Sequence, residues 1–243
     1  MSLKVAAVDA FSTEPLGGNG ATVVLLEQPA ESLWMQRLAA EFNQSETAFL
    51  WSNQGLWYLR WFTPSCEVEL CGHATLAASL ALHHWQQLPI GTAQQLQTRS
   101  GPLRVELQSS TSAAIDLPSG GLKPRSKEPW MQPFQPLQQW TSDLGYGVLL
   151  LDGSADLQQL NPDDPCWANT SENAWVVMQP GSRGCDYQLR FFAPGLGLRE
   201  DPVTGSAHAL VAPWWCEQLG QTTVAGWQPS HLPGCLCCEP LSG

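Results

Sequence analysis

The 243 residues predict an α+β fold built twice, as two related halves that each carry one buried helix. The first observation behind this is a repeat. Leu59-Arg-Trp-Phe-Thr-Pro64, followed by Cys71-Gly-His-Ala-Thr75, is echoed by Leu189-Arg-Phe-Phe-Ala-Pro194, followed by Thr204-Gly-Ser-Ala-His208; the second loop is three residues longer, in the stretch that holds Glu200 and Asp201. The second is that Ala74 to Trp85 and Ala207 to Leu219 are apolar almost all round, which places each helix inside its half. The third is a linker-like composition from Pro118 to Pro129, which sets the boundary near Gly120 and divides the chain into residues 1–119 and 120–243, with a shared cleft expected between them.

Taken in order, Val5 to Ala10 reads as a strand, Gly17-Gly-Asn-Gly20 as a turn and Ala21 to Leu26 as a second, β-branched strand. The turn lacks the Lys-Ser or Lys-Thr that a phosphate loop requires. Glu31 to Phe42 carries the stripe Trp34, Leu38 and Phe42, with Leu33 and Met35 beside it, and predicts an amphipathic helix against a sheet. Ser45 to Leu50 alternates as a strand, which puts Glu46 on the same side as Ala48 and Leu50. Val148 to Leu151 and Ala174 to Met178 restart the strand pattern in the second half, the latter resembling Ala21 to Leu25. Pro213 predicts a kink or an early break in the second helix, because it removes a hydrogen bond and crowds the carbonyl of Ala209.

An apolar fraction of 43% with 12 Trp supports a packed globule, and 14% charged residues leaves a modest, partly Gln-rich surface. With 22 acidic against 11 basic residues, the formal charge of −11 repels a phosphate backbone, which excludes nucleic acid as the expected partner. No apolar run approaches the roughly 20 residues of a membrane span, and the start has no cleavable leader pattern, so the expected location is the cytoplasm. The eight Cys are then expected as thiols rather than disulfides. Cys235, Cys237 and Cys238 lie close together, but no second pair at zinc-finger spacing accompanies them.

The chemistry is expected at the two helix entrances. Glycine there lets a ligand approach the backbone, and the unpaired N–H groups of the first turn favour an anion, so Gly72 and Gly205 could grip one small carboxylate. His73 follows the first glycine and Ser206 the second, each adding a polar side chain. A histidine at such a mouth can bind an anion or relay a proton near neutral pH. His83 and His84 lie too far along the helix to share that role. Glu46 has two readings: an edge-strand carboxylate reaching solvent, or a partly desolvated one suited to proton transfer. Asp201 either caps the turn before Thr204 or accepts hydrogen bonds from a substrate. Cys71 could be a thiolate stabilised by the helix end, yet its counterpart is Thr204, which disfavours a two-cysteine racemization.

Val8-Asp-Ala-Phe11, Gly18-Asn19, Ser45-Glu-Thr-Ala-Phe49, Arg60-Trp-Phe-Thr-Pro64, Cys71-Gly-His-Ala-Thr75, Arg190-Phe-Phe-Ala-Pro194 and Glu200-Asp-Pro-Val-Thr-Gly-Ser-Ala-His208 resemble, in order and spacing, the motif series of the phenazine-biosynthesis PhzF family. The resemblance runs from about Val5 to about Gly220. It implies the diaminopimelate-epimerase-like fold, two pseudo-symmetric halves with a curved mixed or antiparallel sheet wrapped around a central helix, and chemistry without a cofactor or metal. It also implies that Glu46 is the general acid/base, which in the phenazine enzyme moves a proton between carbons of dihydro-hydroxyanthranilate. By the same resemblance His73 and Asp201 position the substrate, while Gly72, Gly205 and Ser206, flanked by Cys71 and Thr204, form the carboxylate-binding entrances. The family's common assembly is a homodimer, and the abundant Trp fits an interface and a core equally. The chain departs from the pattern after Trp227, where the segment to Gly234 lacks the Arg of a Gln-x-x-x-Arg-Gly-Gly-like motif. The expected function is a cofactor-independent isomerase acting on a small carboxylate. The alternative is a family member that binds a small molecule or protein without turnover, and a zinc hydrolase using His73 and cysteines stands well behind both.

Overall fold

The computed structural model describes residues 3–126, 128–168 and 171–241. The chain divides into two compact units, Met1–Leu117 and Pro118–Gly243. Unit one runs β1 (Lys4–Ala10), β2 (Asn19–Leu25), α1 (Ser32–Phe42), β3 (Glu46–Asn53), β4 (Leu56–Phe62), β5 (Glu67–Val68), α2 (Gly72–His84), β6 (Ala93–Thr98), β7 (Gly101–Leu107) and β8 (Ala113–Ile115). Unit two runs β9 (Leu122–Pro124), β10 (Gln138–Ser142), β11 (Tyr146–Leu150), β12 (Ala174–Pro180), β13 (Tyr187–Phe192), α3 (Gly205–Leu219), β14 (Val224–Gln228) and β15 (Gly234–Cys238), with short 3₁₀ turns between β9 and α3.

Both sheets are mixed, and they repeat one pairing scheme. The first is ordered β1-β2-β3-β4-β6-β7-β8 with β5 on β4; the second is β15-β14-β13-β12-β11-β10-β9. β2 with β3 and β4 with β6 are parallel, as are β11 with β12 and β13 with β14, and their other neighbours are antiparallel. The scheme makes β12 the counterpart of β3, and β11 the counterpart of β2. Ala174 to Met178 therefore resembles Ala21 to Leu25 only in composition, because any strand buried on both faces selects small and β-branched residues. The register aligns Thr47 with Trp175, through partners Phe62 and Phe192, and so Glu46 with Ala174. It also sets Thr22 opposite Thr47, and Gly147 opposite Trp175. A Cβ on Gly147 would fall 2.2 Å from the Trp175 ring, so only glycine fits there.

Each central helix is buried as its uniform apolarity predicts. Ala74, Ala77, Ala78, Ala81 and Leu82 of α2 pack on Val23, Ala48, Leu50, Leu59 and Trp61. Ala207, Leu210, Val211 and Trp215 of α3 pack on Val148, Val176, Met178, Leu189 and Phe191. The opposite face of the first sheet is covered by α1 through Met35 and Ala39, with Leu38 and Phe42 partly buried. Trp34, expected in that stripe, is 40% exposed and only edges onto Phe49 at 6.3 Å, because the helix is rotated so that Met35 takes the inward position. In the second unit an irregular segment does the same work, with Met131, Leu157 and Trp167 over Trp175, Val177 and Phe192. Pro213 does not break α3, which continues from Gly205 to Leu219. Burial of Val211, Ala212, Trp215 and Cys216 around the proline offsets its missing hydrogen bond. β14 and β15 extend the second sheet beyond β13 despite the departure after Trp227. Among the described residues no helix is long and apolar enough to cross a membrane.

Candidate active site

In unit one the site begins with a strand end. β3 lies between β2 and β4, so Glu46 is not on an edge, and the solvent-reaching reading fails. Alternation along β3 turns Glu46 with Ala48 and Leu50 toward α2, and because Glu46 is the first residue of the strand its carboxylate meets the helix entrance rather than its middle. Glu46 Oε2 lies 3.0 Å from His73 Nε2. Ser45 Oγ is 3.4 Å from the same nitrogen and donates to the Gly20 carbonyl at 2.9 Å. Cys71 Sγ sits 3.5 Å from Nδ1 and 3.9 Å from Nε2 of His73. Cys71 is the N-cap of α2 and its side chain does not cap the helix, so the first-turn N–H groups beside Gly72 are not claimed by it.

The charges follow from these contacts. Burial pushes the Glu46 carboxyl up, but His73 and then Ser45 pull it further down, and it is held below its ordinary value. Burial pushes the Cys71 thiol up, and the opposing pull of His73 does not restore it, so Cys71 is a thiol at neutral pH rather than the thiolate considered from the sequence. Burial would push His73 down, but Cys71 and Glu46 hold it well above its ordinary value. With Cys71 neutral, the carboxylate of Glu46 is the anion beside the ring, 3.0 Å from Nε2. The pair is thus a carboxylate beside an imidazole, at the mouth of an uncapped helix.

In unit two, Asp201, Thr204, Gly205 and Ser206 gather at the α3 entrance. Thr204 Oγ1 donates to Asp201 Oδ2 at 2.7 Å, and the Asp201 N–H donates to Phe191 O at 3.1 Å. Asp201 thus performs the turn-fastening role read for it. Thr204 is the N-cap of α3, again without a side-chain cap. Ser206 Oγ lies 3.4 Å from the Tyr146 hydroxyl. The structure groups Glu46, Cys71, Gly72 and His73 within unit one and Asp201, Thr204, Gly205 and Ser206 within unit two.

Several contributors escaped the sequence reading. Buried Gln228 accepts from Thr204 N at 2.9 Å and donates to Asp201 O at 2.7 Å, which fastens both ends of the turn before α3. Arg60 pairs with Glu67 through two contacts of 2.6 Å, and Arg190 with Glu200 through two of 2.7 Å, so each loop leading to a helix entrance is braced by an Arg–Glu fork. A signal existed for the forks, since both Arg and both Glu sit at matching places in the repeat. His208, fully buried, meets the Tyr187 hydroxyl at 2.8 Å through Nδ1. His83 Nδ1 contacts the Leu88 carbonyl at 2.9 Å, a packing role. All eight cysteines are free, with Cys185 and Cys235 sulfurs 3.5 Å apart. Among the described residues, one group of three could ligate a metal: Glu46, Cys71 and His73, whose ligand atoms lie within 4.8 Å of one another.

The sequence matches the PhzC-PhzF family, phenazine biosynthesis-like protein, over residues 8–120 and 125–231. It is 36% identical to an uncharacterized isomerase of Pseudomonas aeruginosa, over 98% of this chain and 91% of the relative. The crystal structure of a phenazine biosynthesis protein of the PhzF family from Enterococcus faecalis superposes with a TM-score of 0.92 at 32% identity, covering 100% of this chain and 93% of that one. A hydroxyproline epimerase from Agrobacterium vitis, at 10% identity and a TM-score of 0.57 over 93% of this chain and 81% of its own, shares the fold expected from the sequence.

Proposed function

The chain belongs to the phenazine biosynthesis-like PhzF family and is an isomerase of that family, and from this premise we propose that it moves a proton between carbons of a small carboxylate substrate, with Glu46 as general acid/base. The observation that carries the proposal is the 3.0 Å contact between the buried carboxylate of Glu46 and His73 at the α2 entrance. A carboxylate held ionised is in the form that accepts a proton. It is a weak base, so the carbon it deprotonates must be acidified by a neighbouring carbonyl or conjugated system. The charge that develops there needs oriented donors, and the His73 ring with the N–H groups at Gly72 supplies them. Glu46 then returns the proton at another carbon, and no net redox change occurs. Asp201, Thr204, Gly205 and Ser206 take substrate-holding roles in the same reading, supported by their fastened turn and the uncapped helix start. Thr204 in place of a second cysteine, and a neutral Cys71, weigh against racemization by paired thiolates. Homodimeric assembly completes the reading, supported by the family resemblance alone.

The test is carbon-bound deuterium incorporation in D₂O, followed by NMR across small unsaturated and amino carboxylates including dihydro-hydroxyanthranilate. Incorporation by the wild type that disappears in Glu46→Gln is expected. Ligand binding by folded protein with no exchange from any member of the panel would replace this reading with the non-catalytic binding protein.

A further inference from the structure

The α2 entrance brings together three kinds of ligand atom. Glu46 Oε2 and His73 Nε2 are 3.0 Å apart, Cys71 Sγ lies 3.5 and 3.9 Å from the two ring nitrogens, and all are within 4.8 Å of one another. Metal–ligand bonds of about 2.0–2.3 Å in tetrahedral zinc sites place neighbouring donors about 3.3–3.7 Å apart, so small side-chain rotations suffice to close this set around one ion. A second observation points the same way. Glu46 Oε2 is buried yet has no hydrogen-bond partner: its approach to His73 is a charge contact outside hydrogen-bond geometry. We propose that Glu46, Cys71 and His73 form a binding site for one zinc-class divalent cation, with a fourth position left open, and that occupancy blocks the proton chemistry of the same site.

Donor chemistry selects the ion. A thiolate sulfur with a neutral imidazole favours zinc or cobalt over magnesium or calcium, which take oxygen ligands, and binding releases to solvent the Cys71 thiol proton and any proton His73 holds on its ligating nitrogen. The repeat supplies an internal comparison, because the counterparts of the three ligands in unit two are Ala174, Thr204 and Ser206, which offer neither thiol nor imidazole. Among the described residues this gives one such site. The blocking effect rests on the proposed catalytic reading, since the cation would occupy the carboxylate that accepts the proton; the binding itself does not.

The experiment is a Co²⁺ titration of the full chain carrying Cys185→Ser and Cys235→Ser, which removes the competing thiol pair. One equivalent is expected to bind with a thiolate-to-cobalt charge-transfer band, Zn²⁺ is expected to displace it, and Mg²⁺ is not. Cys71→Ser should abolish the band, and Glu46→Gln should weaken binding by at least about 100-fold while the band persists. A band that survives in Cys71→Ser, or no binding by the Cys185→Ser, Cys235→Ser protein, would overturn the proposal, with circular dichroism confirming that each variant is folded. Deuterium exchange measured without added metal tests the catalytic reading separately, so either can fail while the other stands.

Discussion

Where the first unit places a carboxylate, the second places a methyl group. Glu46 opens β3 and reaches His73, whereas Ala174 opens β12, and the contact to the helix entrance comes from the opposite strand, through Tyr146 to Ser206. Each entrance keeps its glycine and its uncapped first turn. What differs is the side chains: one entrance has a carboxylate against an imidazole, the other has the hydroxyls of Thr204, Ser206 and Tyr146, with the Asp201 carboxylate tied to Thr204. The difference teaches that the repeat keeps the same uncapped helix start in both copies and places a carboxylate–imidazole pair at only one of them.

The sharpest way to break this comparison is to make the first unit like the second. Glu46→Ala should lower deuterium exchange on the identified substrate by about 100-fold or more, the scale of a lost general base, while Tyr146→Phe should change it only a few-fold. Comparable losses from the two would end the asymmetry. The Arg–Glu forks come next. The Arg190–Glu200 side chains are only 5% and 6% exposed, and Arg190 also donates to the carbonyls of Leu157 and Leu160, whereas Glu67 keeps Arg99 at 2.7 Å if Arg60 is lost. Arg190→Met should therefore cost about 3–5 kcal/mol and Arg60→Met about 1 kcal/mol, read from urea midpoints.

Gln228→Leu, which removes the hydrogen bonds Gln228 makes to Thr204 N and Asp201 O, should cost about 2 kcal/mol and should raise KM for deuterium exchange more than it lowers kcat. A smaller effect distinguishes the helices. Where α2 has Thr75, α3 has His208, which faces the Tyr187 hydroxyl and lies beside Gln228; burial holds it down at about 3, with Gln228 opposing. Between its ordinary 6.5 and about 3, the unfolded chain binds a proton that the folded chain refuses, so stability falls as pH drops through that window. The slope is at most about 1.4 kcal/mol per pH unit, and His208→Gln should flatten it. Measurements kept above pH 4.5 avoid Glu67, whose carboxyl Arg60 holds below that ordinary value and whose contribution is lost only on further acidification.

The face of Glu46 was legible because strand alternation acts over a few residues, but alternation left both readings of its role open and the acid/base one rested on the family resemblance. The buried helices were legible from an equally local pattern. Gln228 was not, since its hydrogen bonds reach back 27 and 24 residues, and chain order carries no trace of such contacts. Tyr146 was hidden because its partner Ser206 lies 60 residues away and β11 could be assigned to its counterpart only from strand pairing. The rotation of α1 that exposes Trp34 depends on how tightly Met35 and Ala39 fit the sheet, which periodicity does not measure.

The interlock of Gly147 with Trp175 bears on how far the copies are interchangeable. The first unit has Thr22 opposite Thr47 at this register, so converting the second pair into the first requires two substitutions. Gly147→Thr alone would drive a side chain into the indole, and Trp175→Thr alone would leave a void in the aromatic layer of Trp130, Trp167 and Phe192, each at a cost of several kcal/mol, on the order of 3–5 for the void. Either single step therefore destabilises the second unit, and the two positions act as one unit of change: each residue is tolerated only with its present partner.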